Sequence, residues 1–268
     1  MTALDDAAGF IEISDPNDAR LDDFRDLMDA DARPDRRGVV IAEGVNVVER
    51  LLRSTYPVRA VAGVPAKLAQ LSVPLAAAGV PVYSIDKWTL SAIAGFRITR
   101  GVLASAGRPA PVPVADLLRS CDRFAVLESL NDFENLGALF RNAAAFGVEA
   151  VLLDPQCADP LYRRSVRVSM GHVLGVPFVQ LPGSWPRSLD LLAEQGIARL
   201  AMTPRPDAQP LRSVVTPPRW ALMLGAEGPG LSDGALARAD VLVRIPMAPG
   251  VDSLNVATAA AVAFAHLS

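Results

Sequence analysis

The chain has 268 residues, of which 51% are apolar and 21% charged, and its net charge is −3. That is enough apolar material for one large domain or two of ordinary size. The acidic balance excludes a broadly basic nucleic-acid binder, so any such contact has to come from local patches, and two cysteines without Cys-x-x-Cys exclude a disulfide scaffold.

Residues 1–16 read as a polar lead-in with no basic n-region before an apolar run, so the cytoplasm is the expected compartment. Leu21, Phe24, Leu27 and Met28 make a helical stripe. Strands are expected at 38–42, 58–64, 81–85 and 101–106. Helices are expected at 47–52, near 66–71 and at 87–94, the last capped by Asp86. This alternation predicts a small α/β domain over residues 1–106. Gly107–Pro113, with three prolines, predicts an extended linker. Beyond it strands at 123–127, 150–153, 178–181 and 197–202 alternate with helices at 136–146, 162–173 and 188–194. A second α/β domain over 114–268, mostly parallel, follows from that pattern. The longest nearly continuous apolar stretch, 256–265, is too short to span a bilayer.

Three stretches offer chemistry. Asn131–Gly147 carries the apolar stripe Leu136, Leu139, Phe140 and Ala143, with Asn135 near a helix start and Arg141 off the stripe. Leu222–Ser232 is an apolar strand ending in a turn with Gly225, Glu227, Gly228 and Gly230. Ile245–Val256 is a strand end, a Pro/Gly loop and a helix start. Glycines let backbone groups approach a ligand without Cβ interference, and ligands of open α/β sheets sit beyond the carboxyl ends of strands. His172 and His266 lack zinc-like spacing, and no Gly-x-Ser-x-Gly elbow, phosphate loop or Gly-x-Gly-x-x-Gly fingerprint is present. What remains suits a polar organic cofactor and group transfer without a metal. Candidate basic patches are Arg33, Arg36 and Arg37; Arg97 and Arg100; and Arg163, Arg164 and Arg167.

Together the three stretches resemble the three motifs of the SpoU/TrmH family of RNA ribose 2′-O-methyltransferases, in the SPOUT superfamily. Asn135, Gly137, Arg141 and Phe146-Gly147 match the first motif. Gly225, Glu227, Gly228, Gly230 and Leu231-Ser232 match the second. Ile245-Pro246-Met247, Gly250 and Ser253-Leu254-Asn255-Val256 match the third. Ile41-Ala42-Glu43-Gly44 resembles the family's small substrate-binding domain. The resemblance implies a C-terminal SPOUT domain with a parallel sheet and a deep trefoil knot, preceded by a small α/β RNA-binding domain. It implies S-adenosylmethionine as cofactor, held by Leu224, Gly225, Glu227, Gly228, Ile245, Met247, Ser253 and Leu254. It further implies a homodimer formed by the C-terminal domain; the last helix's face of Ala257, Ala260, Ala261 and Ala263 suits close helix approach there and, equally, packing inside one subunit. The implied catalytic set is Arg141, Asn135, Glu227, Ser253 and Asn255, with Asn135 and Asn255 orienting the ribose and Arg141. A guanidinium gives up its proton only with difficulty, which favours Arg141 as a clamp on the target phosphate over a general base. The added N-terminal domain favours ribosomal RNA over transfer RNA as substrate. The alternatives are a tRNA 2′-O-methyltransferase, a non-catalytic RNA-binding protein of the same fold, and a small-molecule enzyme with a nucleotide cofactor.

Overall fold

Apolar runs bounded by glycine and proline set the strands. The structure, a computed structural model, describes residues 9–28 and 38–268; the Arg33, Arg36 and Arg37 patch lies outside them. The chain divides into two compact units, residues 1–110 with 159–174, and residues 111–158 with 175–268.

The first unit holds strands Ile11–Glu12 (β1), Val39–Glu43 (β2), Val58–Gly63 (β3), Val82–Ser84 (β4) and Val102–Gly107 (β5), in sheet order β1-β4-β3-β5-β2. Only β5 runs antiparallel to its neighbours. Helices Val45–Leu52 (α1), Pro65–Ala69 (α2), Ser72–Ala78 (α3) and Lys87–Ala94 (α4) connect them. Asp86 caps α4 as expected, its Oδ1 accepting from the Trp88 and Thr89 amides at 2.8 and 3.1 Å. The stripe at 21–28 forms a 3₁₀ turn, Ala19–Phe24, rather than a longer helix; Leu21, Phe24 and Leu27 are buried and Met28 is exposed.

The second unit starts with Val114–Ser120 (α5), Arg123–Glu128 (β6), Phe133–Ala145 (α6) and Ala150–Leu153 (β7). Residues 159–174, expected inside the second domain, belong to the first unit instead and form Arg163–Val168 (α7). The reason is specific pairing: Arg163 Nη1 donates to buried Glu43 at 2.9 Å, and Arg50 donates to the Met170 carbonyl at 2.6 Å. The expected helix to 173 stops at 168, because Met170 and Gly171 take positive φ. The second unit continues with Phe178–Gln180 (β8), Asp190–Glu194 (α8), Ala198–Met202 (β9), Gln209–Pro210 (β10), Trp220–Gly225 (β11), Asp233–Leu236 (α9), Val241–Arg244 (β12) and Val256–Leu267 (α10). Its seven strands are all parallel, in the order β10-β12-β9-β11-β6-β7-β8. Central β11 reads Trp-Ala-Leu-Met-Leu-Gly and buries its first five side chains, as a strand covered on both faces must. The small-residue face of α10 is spent inside the subunit: Ala257, Ala260 and Ala263 are buried, α10 packs on α6, and Asn142 Nδ2 donates to the Ala257 carbonyl at 2.8 Å.

Candidate functional site

In a parallel sheet all carboxyl ends open at one edge, and here β9, β11 and β12 bring three loops together. Between them lies a cleft of about 560 Å³, within the usual range for organic ligands. Leu224, Gly225, Glu227 and Gly228 line it after β11, and Ile245, Met247, Ser253 and Leu254 after β12. All eight residues singled out for a cofactor therefore face one space. Met202, Thr203 and Pro204, at the end of β9, also line it. They carry no motif; only their place at a strand end beside β11 and β12 marks them.

Gly225 is there for steric reasons. A Cβ on it would lie 2.1 Å from the Gly230 carbonyl carbon and 2.3 Å from its oxygen. The turn closes that tightly because the Gly230 amide donates to the Ala226 carbonyl at 2.9 Å, with Gly228 and Gly230 at positive φ. Glu128, buried at the end of β6, anchors the far side of the turn. It accepts from Trp185 Nε1 at 2.6 Å and from the Ser232 amide at 2.9 Å. Its position inside an apolar strand gave no chemical signal in the sequence. Among the described residues, the loop 246–254 closes a single backbone bond, Val251 to Ala248 at 3.2 Å. Its other amides and carbonyls are left for a ligand or solvent.

At the rim three polar side chains meet. Asn255 caps α10, its Oδ1 accepting from the Ala257 and Thr258 amides at 3.0 and 3.2 Å. Its Nδ2 donates to Asn135 Oδ1 at 2.6 Å and to Glu227 Oε1 at 2.7 Å. Asn135 is not the cap of α6; Asp132 is, accepting from the Asn135 amide at 2.7 Å. That leaves the Asn135 side chain for the trio. Arg141 is exposed, makes no hydrogen bond or ion pair with the described residues, and does not line the cleft. Six residues past Asn135, it sits about 9 Å along the helix and about 120° round it. Within the chain no bond joins Asn135 or Asn255 to Arg141; Asn255 joins Asn135 and the Glu227 carboxylate instead.

Among the described residues no group of His, Cys, Asp and Glu is placed to hold a metal, and no helix is long and apolar enough to cross a membrane. Burial, with a hydrogen bond to Asp154, pushes the Cys157 thiol up to about 12, so it stays protonated at neutral pH.

Residues 122–265 match the family model described as the SpoU rRNA Methylase family. The chain is 50% identical over 259 residues to a Mycobacterium tuberculosis protein named as an uncharacterized tRNA/rRNA methyltransferase, covering 94% of this chain and 90% of that one. It is 24% identical over 261 residues to a 23S rRNA (guanosine-2′-O)-methyltransferase of Bacillus subtilis, covering 96% and 98%. In fold it is similar to an AdoMet-bound rRNA methyltransferase from Sinorhizobium meliloti, with a TM-score of 0.80 at 21% identity over 96% of this chain and 97% of that one.

Proposed function

The chain belongs to the SpoU rRNA methylase family and is an RNA methyltransferase that uses S-adenosylmethionine; from that premise we propose that it methylates a ribose 2′-hydroxyl, in ribosomal RNA. The observation that carries the proposal is the Asn135–Asn255–Glu227 trio on the rim of a cleft whose lining joins Gly225, Gly228 and Gly230 to apolar side chains such as Leu224, Ile245 and Met247. The residues fit the cofactor. Gly225 tolerates no side chain, and the loop 246–254 offers unpaired main-chain groups suited to an adenosyl moiety. When bound, S-adenosylmethionine supplies an electrophilic methyl group on a positively charged sulfur.

In this reading Leu224, Gly225, Ile245, Met247 and Leu254 hold the adenosyl part, with Glu227 and Gly228 beside the methyl-bearing end. Asn255 spends both amide hydrogens on Asn135 and Glu227, so the carboxylate is held in one orientation before any ligand arrives. Asn135 keeps its own NH₂ group to orient the ribose, and Ser253 holds the loop or contacts substrate. Such positioning can supply about 7–11 kcal/mol of a barrier. Arg141 clamps the target phosphate. Because its guanidinium lies off the cleft of its own chain, a homodimer through the second unit is part of the proposal, as is a trefoil knot in the loops around the cleft. Val251 and Val262 are exposed apolar side chains of that unit, as are Val112 and Val215.

The test is methyl transfer from labelled S-adenosylmethionine to undermethylated total RNA, followed by mapping of the modified nucleotide. A 2′-O-methyl mark in ribosomal RNA supports the proposal; a mark on a base, or in transfer RNA alone, overturns it. Arg141→Ala is expected to fold normally and to lose turnover. Full activity in that variant would remove the clamp.

A further inference from the structure

Alternate residues of β6 face one side of the sheet, and on that side Phe124 and Val126 are fully buried in the apolar cluster that also holds Leu152, Met223 and Leu231. Glu128 is the next residue on that side, and it is 5% exposed. A carboxylate in such a place is costly unless its oxygens are hydrogen-bonded. Here each oxygen accepts one N–H: Oε1 from Trp185 Nε1 at 2.6 Å, and Oε2 from the Ser232 amide at 2.9 Å. Among the described residues no cation pairs with it. An apolar side chain would fill the same place without that cost, so packing alone does not account for the carboxylate.

What the carboxylate holds is the glycine turn. The Glu128 backbone lies beside Gly225 in the register of β6 and β11, and its side chain reaches Ser232 at the other end of the turn. One residue thus fixes both ends of the segment that carries Glu227 and Gly228 into the cleft, although neither Glu128 nor Trp185 lines that cleft. The indole comes from the loop after the edge strand β8, and its ring packs against the apolar cluster. Held in this way it occupies Oε1 and leaves Oε2 aimed at the Ser232 amide.

We propose that Glu128 and Trp185 are positioning residues for the reaction: the carboxylate, oriented by the indole, shapes the turn that receives S-adenosylmethionine. The proposal rests on the reading of the chain as a methyltransferase, and it extends the site to two residues outside all three motif stretches.

Glu128→Gln replaces one acceptor by an NH₂ group, so one of the two N–H donors must face another donor. The indole is packed and stays, and the loss falls on Ser232. Affinity for S-adenosylmethionine in calorimetry is expected to drop at least about tenfold, with the KM for the cofactor rising in step and the KM for RNA unchanged. In the protein without cofactor, hydrogen exchange of the amides of 226–232 should quicken, because Ser232 is exposed and its amide is held by this bond. Adding Trp185→Phe removes the competing donor, so the glutamine can turn its oxygen to Ser232. The double variant should therefore regain at least about threefold in affinity and slow the exchange again. Asp122→Ala, at the opposite end of β6, breaks the Arg219 contact and should lower stability without changing affinity. Wild-type affinity and exchange in Glu128→Gln, a double variant no better than the single one, or an equal affinity loss in Asp122→Ala overturns the pair. Should Glu128→Gln fail to fold by circular dichroism, Trp185→Phe alone decides: it frees the carboxylate to swing and must weaken cofactor binding, and full affinity overturns the pair. A wild type that binds S-adenosylmethionine but methylates no RNA would overturn the enzymatic reading, and the binding and exchange results would still decide the pair.

Discussion

Because Asn255 accepts two backbone amide hydrogens with Oδ1, its NH₂ group is fixed in direction, and it meets one carbonyl and one carboxylate. Asn255→Asp separates the two jobs. The introduced carboxylate still caps α10, so stability falls by less than about 1 kcal/mol. It also faces Glu227 at hydrogen-bond range, where two like charges repel and one proton between them is favoured. Methyl transfer is therefore expected to be lost at neutral pH and to recover in part as the solution is acidified; a flat pH profile at full activity would sink the trio. Gly225→Ala probes the turn itself. The clash it creates is Cβ against the Gly230 backbone, which no rotamer relieves, so S-adenosylmethionine affinity in calorimetry should drop at least about tenfold, or about 1.4 kcal/mol. Affinity within twofold of wild type would mean the turn is not closed as described. These residues were legible in the sequence as motif positions. Their partners were not: nothing in the spacing says that Asn255 reaches across 120 residues to Asn135, or that Asp132 takes the capping role.

At the scale of elements, legibility followed local signals. Helix α4 runs over the expected residues because Asp86 caps its start and Gly95, at positive φ, ends it. Helix α6 ends at Gly147 in the same way, and its stripe Leu136, Leu139, Phe140 and Ala143 is fully buried. Helix α3 went unseen because Pro74 in its sequence argues against a helix, although a first-turn proline is tolerated. Asp86 also carries a pH dependence. Hydrogen bonds from Thr89, then Trp88, hold its carboxyl below the ordinary carboxylate range. A group depressed in the folded state contributes stability above its unfolded pKa of about 3.9 and loses it as pH falls through the folded value. Asp86→Ala should thus destabilise the chain by about 1 kcal/mol in urea at pH 7, and the gap to wild type should shrink as pH falls below the unfolded value. A gap that widens in acid would contradict this sign.

At the scale of the whole molecule, the parallel β/α alternation was readable, and the division between units falls after Ala110, inside the proline-rich stretch. What periodicity lacks is partnership. The stretch around Arg163–Val168 announces an amphipathic segment but not the surface that receives it, which is set by Glu43 and Arg50, each 120 residues away. Strand order in the seven-stranded sheet is hidden for the same reason. The assignment of residues 159–174 has a consequence that can be measured. A fragment of residues 111–268 keeps the apolar cluster built on Phe124, Val126, Leu152, Ala221 and Met223, none of which lies in that segment. It strips the segment of the surface that buries Leu161, Tyr162, Val166 and Val173. Each such side chain is worth about 1.5–3 kcal/mol when buried, so the loss is on the order of 6 kcal/mol, within the about 5–15 kcal/mol that holds a whole domain together. The segment should therefore unfold locally in the fragment while the sheet persists. Arg163, Arg164 and Arg167 make it a trypsin substrate. Cleavage there should be at least about a hundredfold faster in the fragment than in the full chain, because digestion of a locally opened segment follows the population of the open form. Equal cleavage rates would mean that residues 159–174 draw their stability from the second unit after all.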